Sequence, residues 1–302
     1  MYPLIAVLGP TGAGKSDLAI HLAQALAGEV LNCDSVQVYR GLDIGSAKMS
    51  PAARLGIPHH LIDVVGPDAD LTAGEYARMA RGVLKELQSR CTLPVVAGGT
   101  GFYLRALLDG LSPAPGRDEE LRARLAAIAR RRPAALHRFL RRRDSASAAR
   151  IHANDHQKLM RAIELASQGQ TLPRQPLTGF RILKLALHPE RPALYDRLNR
   201  RCEAMFAGGL LDETRQLLAS GVPLAAKSLQ SLGYKQALQV IADGLPLALA
   251  LSECQTKTRQ YAKRQMTWFR AERGVEWLHG FGSDPAVQAA ALTRAREFLH
   301  VN

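Results

Sequence analysis

Apolar and polar positions along the chain follow two rhythms. Short, largely apolar stretches recur at Leu4-Ile5-Ala6-Val7-Leu8, Glu29–Cys33, Leu93-Pro94-Val95-Val96-Ala97 and Arg181–Leu187, each short enough for one strand. Between the first three, Asp17–Ala23 and Tyr76–Gln88 space their apolar residues at helical intervals. Strands alternating with helices predict an α/β fold: a parallel sheet flanked by helices, with its ligand at the carboxyl ends of the strands. Three polar clusters follow three of those strands: Gly9–Ser16, Asp34-Ser35-Val36-Gln37 and Gly98-Gly99-Thr100. Chain topology therefore carries all three toward one crevice.

The alternation stops at Ser112-Pro113-Ala114-Pro115-Gly116. From there to residue 150 the periodicity is helical, and residues 117–150 hold eleven arginines against four acidic residues. The expected organisation is a catalytic core of residues 1–112 and 181–302 interrupted by a helical, basic insertion of residues 113–180. After Arg181–Leu187 a long helix is expected over Ala193–Ala207, closed by Gly208-Gly209, with helix for the rest. Within that remainder, Lys257–Arg273 interleaves Lys257, Arg259, Lys263, Arg264 and Arg270 with Tyr261, Trp268 and Phe269. Cations and aromatics on one helix suit phosphates and unstacked bases, although such aromatics also serve simply as core.

Charge narrows the picture. The 302 residues carry a formal net charge of +13, which predicts a polyanionic partner, nucleic acid before membrane. Cys33, Cys91, Cys202 and Cys254 form no C-x-x-C pair, so neither a zinc site nor a disulfide framework is suggested. Neither a secretory signal nor an apolar run long enough for a membrane span is evident, and the expected location is the cytoplasm.

The candidate chemistry starts at Gly9-Pro10-Thr11-Gly12-Ala13-Gly14-Lys15-Ser16, which fits G-x-x-x-x-G-K-[ST] between a strand and a helix. In such a loop backbone N–H groups converge on a phosphate, Lys15 reaches its oxygens and the Ser16 hydroxyl holds Mg²⁺. The fold expected is thus P-loop NTPase-like. Asp34, directly after a strand, can coordinate a cation, accept a proton or cap a helix. Gln37 can pair with an adenine edge, and Thr100 can place a hydroxyl near the reacting centre or merely turn the chain.

With these residues in view, the chain resembles the bacterial tRNA dimethylallyltransferases (tRNA isopentenyltransferases). The resemblance rests on Gly9–Ser16, Asp34–Gly45, Pro58–Asp63, Gly98–Leu104, Ile151–Asp155 with Gln157–Arg161, Gly233-Tyr234-Lys235 and Lys263–Trp268, in the family's order. It implies transfer of a dimethylallyl group from dimethylallyl diphosphate to N6 of the adenine 3′ of the anticodon, in tRNAs reading codons that begin with U. By this resemblance Lys15, Arg201 and Mg²⁺ on Ser16 stabilise the leaving diphosphate, Asp34 is the general base, and Thr100 and Gln37 hold the adenine. The implied partner is the tRNA anticodon stem-loop, met by a monomer. The surfaces implied for it are Asp34, Ser35, Val36, Gln37 and Thr100; Arg122; Gln157, Lys158, Leu159, Met160 and Arg161; Gln230, Ser231, Leu232, Gly233, Tyr234 and Lys235; and Lys263, Arg264, Gln265, Met266, Thr267, Trp268, Phe269 and Arg270. Lys158, Lys235 and Gln230 stand where the family frequently has arginine.

Three other readings share parts of this pattern: a small-molecule P-loop kinase, an adenylate isopentenyltransferase acting on a free nucleotide, and a nucleic-acid-dependent NTPase. None of the first two gives a reason for the basic insertion. The third predicts an apolar strand ending in an acidic residue, whereas Leu93–Ala97 ends in Gly98-Gly99-Thr100.

Overall fold

The computed structural model describes residues 1–111, 118–168 and 174–300. The Ser112–Gly116 break lies outside the described residues. By its internal contacts the chain divides into one unit of Met1–Leu108 with Leu177–Asn302 and a second of Asp109–Pro176. The second unit is displaced a few residues toward the N-terminus from the insertion expected at 113–180, because the chain rejoins the first unit before the strand: the Leu177 N–H donates to the Leu108 carbonyl at 2.7 Å.

The first unit is built on a parallel sheet of β1 (Tyr2–Leu8), β2 (Gly28–Asn32), β3 (His59–His60), β4 (Leu93–Ala97), β5 (Phe180–Leu187) and β6 (Val275–Leu278), in the order β3-β2-β4-β1-β5-β6. Leu4 to Leu8 are at most 1% exposed, so the central strand is covered on both faces, which is why it reads as an unbroken apolar run. One face packs α1 (Lys15–Ala25) and α12 (Pro285–His300) through Leu18, Leu22, Val287 and Ala291. Near the other lies α2 (Ala73–Ser89), opened by a reciprocal Thr72–Glu75 capping box. It is followed, after β4, by α3 (Gly101–Leu108).

β3 and β6 are not predicted by the sequence pattern. Two residues, or the four of Val275-Glu276-Trp277-Leu278, are too short to show a period, and pairing with β2 and β5 defines them. The remainder after Gly209 is therefore not wholly helical.

The second unit contains α4 (Glu119–Arg131), α5 (Ala135–Arg143), α6 (Ser145–Arg150) and α7 (His156–Gln168). They close on Leu125, Leu136, Leu140, Leu159 and Ile163, all at most 6% exposed. Returning to the first unit, α8 (Arg191–Ala207), α9 (Leu210–Ala219), α10 (Tyr234–Asp243) and α11 (Leu247–Arg270) complete it. No helix among the described residues is long and apolar enough to cross a membrane.

Candidate active site

The loop between β1 and α1 wraps the start of the helix. Gly14 precedes α1 with φ of 85°, a left-handed conformation costly for any residue with a Cβ. No side chain caps the helix there, so its first N–H groups are left for a ligand. This loop forms one wall of a cleft of about 220 Å³ whose lining includes Thr11, Lys15, Ser16, Asp34, Gln37 and Arg201. Residues from the ends of β1 and β2 and from α8, 190 positions apart in the case of Thr11 and Arg201, thus meet in one cleft.

Three cations line it, Lys15, Arg197 and Arg201, and two of them bond to the phosphate loop. The Lys15 ammonium donates to the Pro10 carbonyl at 2.8 Å. Burial pushes it down to about 8; the Asp34 charge opposes that shift and Arg201 adds to it. Arg201 donates from Nη2 to the Thr11 hydroxyl at 2.7 Å. Its Nε is buried without a partner, and burial lowers its affinity for a proton. An unpaired buried guanidinium N–H beside a phosphate-type loop is a donor set for an anion.

Asp34 faces them from the β2 side. Its Oδ1 accepts from the Val36 N–H at 2.8 Å and the Gln37 N–H at 3.4 Å, which orients the carboxylate. The helix-capping alternative is not what these bonds build: residues 35–38 form turns. Thr100 fixes the same segment, its Oγ1 accepting from the Ser35 N–H at 3.1 Å and donating to Ser35 Oγ at 3.3 Å. The Gln37 amide donates to the Ser46 and Ala47 carbonyls at 3.3 and 3.5 Å. That supporting loop is held in turn by Glu213, which accepts from the Asp43 and Ile44 N–H groups and from the Tyr234 hydroxyl.

Several residues expected at the RNA surface have side chains turned inward. Tyr234 is fully buried, bonded to Glu213 and accepting from the Gly45 N–H at 3.2 Å. Gly233 is buried beside it. Leu159 and Phe269 belong to cores, and Gln265 is buried against the phosphate loop. Trp268 lies under the Arg105 guanidinium, 4.2 Å from its ring centre. Arg122 is not a free cation: its fork grips Glu164 through Nε at 2.6 Å and Nη2 at 3.1 Å. Helical spacing alone does not reveal which side of a segment is inward. By contrast Gln157, Lys158, Gln230, Lys235, Lys263, Arg264, Thr267 and Arg270 are exposed; Ser35, Val36, Met160, Arg161, Ser231, Leu232 and Met266 are half-buried.

One residue of the site is not singled out by the sequence, and a second stands out there only as an aromatic among the cations of Lys257–Arg273. Glu213 has no motif, and the backbone groups it holds lie 170 and 169 positions away. Tyr261, one helical turn before Gln265, has its phenol raised to about 12 by burial, the Asp34 charge adding and a hydrogen bond with Thr100 opposing.

The family model described as IPP transferase matches residues 37–272, and one described as isopentenyl transferase matches residues 2–61. The chain belongs to the tRNA dimethylallyltransferase family. Members named tRNA dimethylallyltransferase from Solibacter usitatus and Koribacter versatilis are each 52% identical, the first over 98% of this chain and 99% of its own length, the second over 96% of each. The crystal structure of the tRNA isopentenylpyrophosphate transferase of Bacillus halodurans is similar at a TM-score of 0.74 and 34% identity, covering 99% of this chain and 96% of that one. A eukaryotic dimethylallyltransferase crystallised acting on tRNA aligns at a TM-score of 0.80 and 25% identity over 99% of this chain and 80% of its own. As a family member the chain is a prenyl-transferring enzyme with the expected P-loop-like α/β fold.

Proposed function

We propose that this enzyme transfers the dimethylallyl group of dimethylallyl diphosphate to N6 of the adenine 3′ of a tRNA anticodon. The observation that carries the reading is the opposition, across one cleft, of an anion-binding wall (Lys15, Arg201 and the uncapped start of α1) and an oriented carboxylate, Asp34. The wall binds the diphosphate and takes up charge as the allylic C–O bond breaks. The N6–C bond forms, and the proton displaced from N6 passes to Asp34. An exocyclic amine is a weak nucleophile because its lone pair is delocalised, so removal of that proton keeps a cationic product from accumulating. Thr100 and Gln37 position the base.

A divalent cation fits beside the loop. Among the described residues no cluster of three or more His, Cys, Asp or Glu side chains is built to hold one. Mg²⁺ typically needs no such cage, taking phosphates, waters and one or two protein oxygens, and Ser16 and Asp17 line the cleft. Ser16 would hold it, and when bound it would neutralise diphosphate charge.

The test is transfer of label from dimethylallyl diphosphate to an anticodon stem-loop carrying adenine or inosine at the target position. Label on the adenine form alone is the expected result; label on free AMP, or phosphoryl transfer from ATP, would return the site to the adenylate-prenylating or kinase readings. Asp34→Ala should lower turnover by about 10³-fold and leave stem-loop affinity within about tenfold. Undiminished turnover removes Asp34 as base.

A further inference from the structure

Gln265 is an unusual occupant of its position. It lies on α11 with 6% of its surface exposed, where an aliphatic residue would fill the same space. A buried amide without partners is costly, so its bonds explain its presence. Its Oε1 accepts from the Thr11 N–H at 2.8 Å, and its Nε2 donates to the Gly99 carbonyl at 2.8 Å. Only this orientation of the amide suits a donor on one side and an acceptor on the other.

Those two backbone groups belong to different loops. Thr11 is in the phosphate loop after β1; Gly99 is in the turn after β4 that continues into Thr100. One side chain thus ties the diphosphate wall of the cleft to the segment whose hydroxyl holds Ser35, next to Asp34. The fit is close: a Cβ on Gly99 would lie 2.4 Å from Gln265 Nε2. The same stretch of helix turns Lys263, Arg264 and Thr267 outward, so the bracket and a cationic exterior share one rigid element.

We infer that Gln265 is a positioning residue, which sets the spacing between the diphosphate wall and the Asp34–Thr100 side and makes RNA contact on the outer face of α11 and occupancy of the phosphate loop interdependent. This rests on the function proposed above. Reaction of a bound donor with a bound acceptor is steep in their separation, and a misplacement of about 1 Å can cost about 10²-fold. A contact on the outer face that favours one placement of α11 favours the matching placement of Gln265, and the resulting change in affinity is equal in both directions.

The experiment uses the full chain, inorganic diphosphate and a fluorescent anticodon stem-loop. Diphosphate affinity is measured with and without saturating stem-loop, for the wild type, Gln265→Leu, Gln265→Glu and Gly99→Ala. Gln265→Glu keeps the acceptor for Thr11 and removes the donor to Gly99; Gly99→Ala displaces the amide without changing it. The wild type should show at least about fivefold coupling, and the variants less than about twofold. Their turnover at saturating substrates should fall by about 10²-fold while stem-loop affinity stays within about threefold. A purely structural role would lower the unfolding temperature and leave the coupling factor of the folded fraction intact. If Gln265→Leu does not fold, the other two variants decide. Equal coupling in wild type and variants, or no coupling in the wild type, overturns the inference while prenyl transfer by the wild type keeps the parent reading. A wild type that neither binds the stem-loop nor transfers the prenyl group defeats both.

Discussion

Arg201 and Arg122 are both half-buried arginines that family resemblance assigns to substrate, and the two units of the chain use them in opposite ways. In the second unit Arg122 closes both arms of its fork on Glu164, a carboxylate with no exposed surface that Arg161 also reaches at 3.1 Å. Burial would raise that carboxyl, but the bonds from the two guanidinium groups hold it below its ordinary value. In the first unit Arg201 makes one bond, to a neutral hydroxyl, and keeps a buried Nε without a partner. The first arrangement is complete as it stands, and the second leaves a buried donor, which the function proposed above gives to the diphosphate. An arginine count therefore says little about nucleic-acid or phosphate binding until each fork's partners are known; eleven arginines in residues 117–150 include some that hold the insertion together.

Exchanging the two sites' fates tests this contrast. The largest effect is expected from Arg122→Ala, which leaves Glu164 buried without its main partner and should destabilise the second unit by about 3–5 kcal/mol. Hydrogen exchange confined to residues 109–176 would report it, with diphosphate affinity unchanged. If exchange there stays slow and stem-loop affinity alone falls, Arg122 is an RNA contact and the contrast is broken. Arg201→Gln should do the reverse, weakening inorganic diphosphate binding by about 2 kcal/mol, or roughly thirtyfold, with little change in thermal stability.

A smaller, pH-dependent effect follows from Lys15. Its folded value near 8 lies below that of the unfolded chain. The unfolded state therefore binds the proton more tightly, and this group costs stability below pH 8, a cost relieved as pH rises from 8 toward the unfolded value. A bound diphosphate favours the charged form, so its affinity should fall above pH 8 and binding near pH 8–9 should take up a proton. Calorimetry in buffers of different ionisation enthalpy measures that uptake, which Lys15→Arg should abolish. The smallest change is expected from Lys263→Ala on the exposed face of α11: stem-loop affinity a few-fold weaker, with a salt slope shallower by about 0.7.

What could be read from the sequence was local. The phosphate loop, the strands that bury both faces and the carboxylate after β2 all declare themselves within a few neighbouring residues. The sheet's edges did not, because β3 and β6 exist through pairing rather than through their own pattern. Nor did the supports of the site. Arg201 meets Thr11 across 190 positions and Gln265 meets it across 254, so no window along the chain contains both partners. The inward turns of Tyr234, Leu159 and Phe269 were hidden for a related reason. A helical segment shows its period in sequence, but the side that is covered depends on what the rest of the chain brings against it.

The pairing of β1 with β5 has a consequence for how the molecule is made. Tyr2 sits beside Phe180 and Leu8 beside Ala186, so the middle of the sheet joins β1 to a segment that leaves the ribosome long afterwards. During synthesis, residues 109–176 emerge with their own apolar centre before that central strand has its second neighbour. The insertion can fold first, and Thr11 acquires its clasp from α11 only once the chain has grown by 254 further residues. A growing chain thus holds a motif for phosphate well before it holds a working cleft.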